Sequence, residues 1–213
     1  MKTQLRKTTK VVLLTALTAF TFISCEKDNL EAPLIEQTIV DQPVLSLEND
    51  IRYPEGAKAT SFIRFASLEA AKDIKVFIAK DIPSEWVTAT NFAIKEWSNA
   101  SSSISMRTVA NRAKADIVLT LVPDNPNSPA GASFPESDGS VGPTMDINPD
   151  FDQDRHQLDA KTRNLVMTHE LGHNLGYQHH NDDIFFMSAF FTTIVDWNGI
   201  TEKDKAIIRK QFP

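Results

Sequence analysis

The sequence predicts a domain of the α+β class, and three observations carry that expectation. Runs of strand length, rich in β-branched residues, stand between about Ile74 and Ile147. Trp86, Ala89, Ala93 and Trp97 recur at spacings of three and four, which is the period of a helix that buries one face, and further helices are expected from near Asp159 and after Thr201. The strand and helix signals follow one another without any internal repeat. At 213 residues, 41% of them hydrophobic, the chain has room for one domain of ordinary size and something in addition.

The elements can be taken in order. Ile74-Lys75-Val76-Phe77-Ile78-Ala79 reads as a short strand. Pro83 and Ser84 open a helix whose Trp86, Ala89, Ala93 and Trp97 share a face. Ser103 to Arg107 alternates, with Ile104 and Met106 on one side, and Ala115 to Val122 is an apolar run expected to be buried on both faces. Pro123 to Pro143 is punctuated by proline, glycine, serine and asparagine, so a long loop is expected there. Met145-Asp146-Ile147 follows as a brief strand. A helix begins near Asp159, and a last one follows Thr201-Glu202-Lys203-Asp204, whose spacing is that of a capping box, and buries Ile208 against Phe212.

The first 24 residues have a different character. Lys2, Arg6, Lys7 and Lys10 make a basic start without an acid, and Val11 to Ile23 is apolar apart from threonines. That is the pattern of a secretory signal, too short in its apolar part to span a membrane. It stops at Cys25, the only cysteine of the chain, and so resembles a bacterial lipoprotein signal, in which the cysteine is acylated after cleavage. Glu26-Lys27-Asp28 resembles the export tags of surface lipoproteins of Bacteroidetes-type bacteria. The expected location is the cell envelope, in the outer membrane, with the periplasm and the exterior both open as the side the domain faces. Loss of the leader removes four cations and makes the formal charge of −6 more negative by four. Such a surface repels nucleic acid and anionic headgroups, leaving the acyl chains as the membrane attachment. Residues 25–72 show no period and read as a tether or pro-segment, which leaves 73–213 as the folded domain.

Four of the five histidines fall in Thr168 to His180. His169 and His173, four apart, lie on one helical face about 6 Å apart along the axis and can present two imidazoles to one ion. Glu170 is turned by about 100° from His169, so it is not a third ligand but can reach a water on the metal as a general base. A continuous helix would carry His179 about 15 Å up the axis. The chain must therefore break, and Gly176 stands where a helix can end in a left-handed turn. The spacing places His169, His173 and His179 around one ion, for which zinc is the natural choice.

His169, Glu170, His173, Gly176 and His179 match the extended zinc motif of the metzincin metallopeptidases, and residues 73–213 resemble their domain. The resemblance implies a twisted, mostly parallel sheet with an antiparallel edge strand, an active-site helix, a Met-turn and a C-terminal helix. It makes Met187, in Phe185-Phe186-Met187-Ser188, the Met-turn residue, and Met145 to Ile147 the edge that an extended substrate pairs with. Phe185, Phe186, Phe190 and Phe191 fall in the segment that walls the pocket beyond the cleaved bond, and at least two of these rings are expected in the core. Among metzincins the chain looks most similar to matrixin-like bacterial families, including the dual-action HEIGH metallopeptidases, with Leu171 in place of isoleucine.

The departures from the family pattern matter as well. Ala189 stands where astacins and serralysins have a tyrosine ligand. No cysteine is left for a cysteine switch, so latency built into residues 26–72 needs another device, such as a carboxylate. Only His156 and His180 remain for the structural zinc of matrixins, which cannot be built in the same way. Asp150, Asp152 and Asp154 have the donors for calcium, although an acidic loop is more often simply solvated. The expected protein is a lipid-anchored, monomeric zinc peptidase that hydrolyses proteins or peptides by a glutamate-activated, zinc-bound water. The alternatives left open are a non-catalytic binding protein of the same fold and a zinc amidase acting on cell-wall peptide.

Overall fold

The computed structural model describes residues 44–47, 50–52, 65–122, 128–148, 151, 158–179, 184–192 and 196–213, all within one unit from Val40 to Pro213. The leader, Cys25, His156, His180 and the acidic residues Asp150, Asp152 and Asp154 lie outside the described residues. No helix among the described residues is long and apolar enough to cross a membrane.

Two short strands come first, β1 at Val44–Ser46 and β2 at Ile51–Arg52. A single helical turn, α1 (Leu68–Ala71), is started by Ser67, whose hydroxyl accepts from the Ala70 amide. β3 (Ile74–Ile78) buries Ile74 and Val76 and leaves Lys75 half-buried, the alternation of a strand with one covered face. α2 (Ser84–Ala100) has Pro83 at its N-cap and buries Trp86, Ala89, Ala93, Trp97 and Ala100, the face that the spacing of its apolar residues predicts. β4 (Met106–Thr108), β5 (Ile117–Leu121), β6 (Ala130–Ser133) and β7 (Thr144–Ile147) complete the strands before the second long helix.

That helix, α3 (Ala160–Leu175), begins at Asp159, whose carboxylate accepts from the Thr162 amide, and ends at Gly176. A 3-10 turn at Phe185–Met187 leads into β8 (Phe190–Thr192). The last helix, α4 (Glu202–Gln211), has a complete capping box between Thr201 and Asp204 and fully buries Ile208, with Phe212 fully buried just beyond it.

The main sheet runs β2-β6-β7-β5-β3-β4. β4, β3, β5 and β7 are mutually parallel, β6 is antiparallel to β7, and β2 is parallel to β6. Parallel neighbours need a long crossover, which α2 supplies between β3 and β4. β1 pairs antiparallel with β8 in a separate two-stranded ribbon. α2 and α3 pack on each other, and the indole of Trp97 donates to the Thr168 carbonyl at 2.8 Å, tying one helix to the middle of the other. The fold is the α+β, mostly parallel arrangement that the sequence predicts, with β6 and its partner β2 running against the other four strands.

Three expectations need correction. Met145 to Ile147 is not the edge: β7 lies between β5 and β6, and the antiparallel strand of the domain is β6. β6 falls inside the stretch 123–143 expected to be loop. Its sequence, Ala-Gly-Ala-Ser, has no apolar alternation, yet all four residues are buried, because β7, β2 and α3 enclose them. β5 is covered less completely than expected, since Ile117 and Leu119 are buried while Val118 and Thr120 are only half-buried.

Asn174, near the end of α3, holds β6 and β7 in place. Its side-chain amide donates to the carbonyls of Ser133 at 3.0 Å, Gly142 at 3.1 Å and Thr144 at 2.9 Å. Its own carbonyl accepts from the Gly142 amide at 2.9 Å. Gly142 has no room for a side chain, because a Cβ there would lie 1.8 Å from the Ser133 carbonyl oxygen.

Candidate metal centre

Helix α3 carries His169, Glu170 and His173 with every residue from Leu165 to Leu175 buried. The helix stops at Gly176, whose φ of 105° is the left-handed region that glycine enters without strain. The amide of Gly176 donates to the carbonyls of Gly172 and His173, and that of Tyr177 donates to Gly172 at 2.9 Å. The break turns the chain so that His179, ten residues after His169, comes back onto the same spot. The ring centroids of His179 lie 5.3 Å from His169 and 5.0 Å from His173.

The break also orients a ligand. The carbonyl of Tyr177, one residue past Gly176, accepts from His173 Nδ1 at 2.6 Å. The carbonyl of Phe186, in the 3-10 turn, accepts from His169 Nδ1 at 2.7 Å. A carbonyl can only accept, so both rings carry a proton on Nδ1 and turn Nε2 inward. Burial first, and His173 beside it second, lower the pKa of His169 to about 4, so its ring is neutral near pH 7.

Those inward atoms approach closely. His173 Nε2 is 2.9 Å from His169 Nε2. His179 Nε2 is buried and makes no hydrogen bond. A fourth acceptor joins them from outside the predicted domain. Asp50 Oδ2 lies 3.0 Å from His169 Nε2, and Asp50 Oδ1 lies 3.2 Å from His179 Nε2 and 3.5 Å from His173 Nε2. Burial alone would raise the pKa of Asp50, but the three imidazoles facing it hold it well below the usual carboxylate value. Four acceptor atoms, all within 4.8 Å of one another, thus converge in a buried space. Such a cluster could hold a metal ion. The donor set of three imidazoles and one carboxylate fits zinc.

Met187 is fully buried and packs against α3 between the two helical histidines. A Cβ on Gly172 would stand 2.5 Å from its sulfur and 3.2 Å from the Trp97 ring, so the glycine inside the His-Glu-Leu-Gly-His run is what admits the methionine. One 3-10 turn therefore supplies both the carbonyl that orients His169 and the sulfur that fills the space beside it. Of the four phenylalanines that follow the motif, Phe186 and Phe191 are buried, whereas Phe185 and Phe190 are 55% and 47% exposed. Phe134, fully buried after β6, packs beside His173 with ring centroids 5.6 Å apart.

The structure thus brings His169, His173 and His179 together, places Glu170 on the same helix, and puts Gly176 and Met187 at the break and the turn. Sequence reasoning missed Asp50, Gly172, Gly142 and Asn174. Asp50 stands in an aperiodic stretch where no spacing marks one acid among several. Its only signal is that aliphatics flank it, at Val44, Leu45 and Leu47 on one side and Ile51 on the other.

A matrixin family profile matches residues 74–212, so the chain belongs to the matrixin family. The family is one of peptidases. Among solved structures it is similar to myroilysin at 20% identity, over 52% of this chain and 50% of that one, with a TM-score of 0.38. The chain therefore spans about half the length of that protein. No curated protein matches it.

Proposed function

We propose that the protein is a zinc endopeptidase in which His169, His173 and His179 hold the metal and Glu170 is the general base. The observation that carries this is the meeting of three imidazole nitrogens, two of them with their protons fixed on the far side of the ring by carbonyls. When bound, zinc supplies Lewis acidity for an amide carbonyl and acidifies water near it. Glu170 takes the proton of the attacking water and delivers it to the leaving amine. Its position one residue after His169 on a rigid, buried helix fixes the direction from which it acts. An extended peptide is expected to lie along the β6 side of the sheet, where β2 pairs with Ala132 and Ser133 in this structure. Phe185 and Phe190, exposed beside the Met187 turn, give the substrate an apolar surface to meet.

Glu170→Gln tests the mechanism. The variant should bind zinc as the native protein does, because no ligand is removed, and lose cleavage of a peptide library by at least the 10² to 10⁴-fold typical of proton transfer. Substantial cleavage by a rigorously purified variant would count against the assignment, and would equally separate an enzyme from a binding protein of the same fold.

The same protein is read as an envelope lipoprotein anchored through Cys25, on the strength of a basic, apolar leader that stops at the sole cysteine. Cys25→Ser should abolish incorporation of labelled fatty acid and release the protein from membranes. A variant still acylated elsewhere would overturn that reading.

A further inference from the structure

We infer that Trp97 of α2 is a positioning residue for the metal centre, whose single indole sets the two carbonyls that orient His169 and His173. The inference rests on the metal-site reading above and concerns a residue that touches neither the ion nor a substrate.

Trp97 is fully buried where α2 packs on α3. Its indole N–H donates to the Thr168 carbonyl at 2.8 Å, one residue before His169. In an α-helix that carbonyl also accepts from the amide four residues on, which here is Gly172. Gly172 stands one residue before His173, and a Cβ on it would lie 3.2 Å from Cζ2 of the indole. The glycine therefore lets the ring sit directly on the turn of α3 that carries both histidines.

Two further neighbours of the indole lie outside the helix. Its ring meets Phe186 edge to face, with centroids 5.7 Å apart and planes at 79°, and meets Tyr177 at 5.5 Å and 33°. These are the two residues whose carbonyls accept from the histidine rings. Phe186 accepts from His169 Nδ1 at 2.7 Å, and Tyr177 from His173 Nδ1 at 2.6 Å. Phe186 sits in the 3-10 turn and Tyr177 just past the helix break, so the indole is a common wall for two separate segments.

A tryptophan that only fills a core needs no particular partners. Trp97 reaches Thr168, Gly172, Tyr177 and Phe186, each of them either next to a helical histidine or the acceptor for its ring. Acceptors of this kind fix the tautomer and direction of a metal-binding imidazole, and disturbing them costs metal affinity. Trp86 supplies the contrast. It is buried on the same face of α2, but about 16 Å earlier along the axis.

The test uses the full chain as Trp97→Phe and as Trp86→Phe, each loaded with zinc or cobalt(II). Trp97→Phe keeps a ring and removes the N–H, while Thr168 keeps its helical bond, so the fold should survive. Competition with a chelator should show zinc held about tenfold more weakly by Trp97→Phe, the low end of the range for outer partners of metal ligands. The visible spectrum of its cobalt form should shift, because the histidine rings are no longer held in the same direction. Trp86→Phe should match the native chain in both readouts, even if urea unfolding shows it to be equally destabilised. Native zinc affinity and a native cobalt spectrum in Trp97→Phe would overturn the proposal, and so would equal losses in the two variants.

If Trp97→Phe does not fold, the native protein decides. Linkage is reciprocal, so zinc must act back on the indole. Of the three indole N–H proton resonances, assigned by replacing Trp86 and Trp197 with Phe, that of Trp97 should move on addition of zinc while that of Trp86 stays. An unmoved Trp97 resonance would refute the coupling. None of these readouts needs turnover, so a chain that behaves as stated and cleaves no peptide leaves the role of Trp97 standing and removes the peptidase reading instead.

Discussion

His179 and His180 are neighbours in sequence with opposite expected fates. After Gly176 the chain leaves the helix, and adjacent side chains of an extended chain point to opposite sides. His179 turns its Nε2 to within 3.2 Å of Asp50, so His180, outside the described residues, is expected to face away. His179→Ala should lose zinc and peptide cleavage together, because a ligand is removed from the metal. His180→Ala should keep most of both, as an outward surface change normally does. Zinc content and cleavage rate measured on the two purified variants decide the matter, and the reverse pattern would mean that the turn is one residue longer. At this scale the histidines were legible because metal ligands on a helix must obey its period. Asp50 was not, because a ligand delivered by a separate strand obeys no spacing relative to the others.

At the scale of elements, α3 and the β6–β7 pair form one device. The helix begins at an aspartate cap, carries two buried histidines on one face and stops at the glycine that redirects the chain toward the third. Each of these features was readable, since caps, periods and left-handed glycines leave local marks in sequence. β6 left none. It is a strand made of two alanines, a glycine and a serine, and it exists because β7 and Asn174 supply partners for its backbone. Gly142→Ala should therefore be severely destabilising, by about 3 kcal/mol or more, in the range of large backbone and packing defects. The new Cβ would collide with a backbone oxygen at 1.8 Å, and that oxygen is held by Asn174. Urea unfolding of the variant checks this, and a midpoint equal to that of the native chain would refute the close packing described.

For the whole molecule, metal binding and folding should be linked. The ion-free site confronts three imidazoles with a buried carboxylate, an arrangement that the unfolded chain avoids and that a cation relieves. Stripping the zinc with 1,10-phenanthroline should lower the melting temperature. The loss corresponds to about 4 kcal/mol if the native chain was held at a free zinc concentration ~1,000 times its dissociation constant. Restoring zinc should restore the transition, whereas calcium should not, since a hard cation prefers oxygen donors to imidazole. A melting temperature indifferent to the chelator would argue that the four groups do not share an ion.

The sequence by itself determined the class of fold and the spacing that gathers the three histidines. A histidine spacing, a glycine at the break and the alternation of strand and helix periods are local consequences of backbone geometry, and they survive in one dimension. Only the tertiary structure decided which strand of the domain borders the site and which acid joins the histidines. Both depend on contacts between segments far apart in the chain. β6 is a strand because its neighbours are strands, and Asp50 faces the metal ligands because β8 and β6 pair with the residues on either side of it. Long-range pairing imposes no period on the sequence that makes it, so the acid that completes the centre looks like any other acid until the chain is folded.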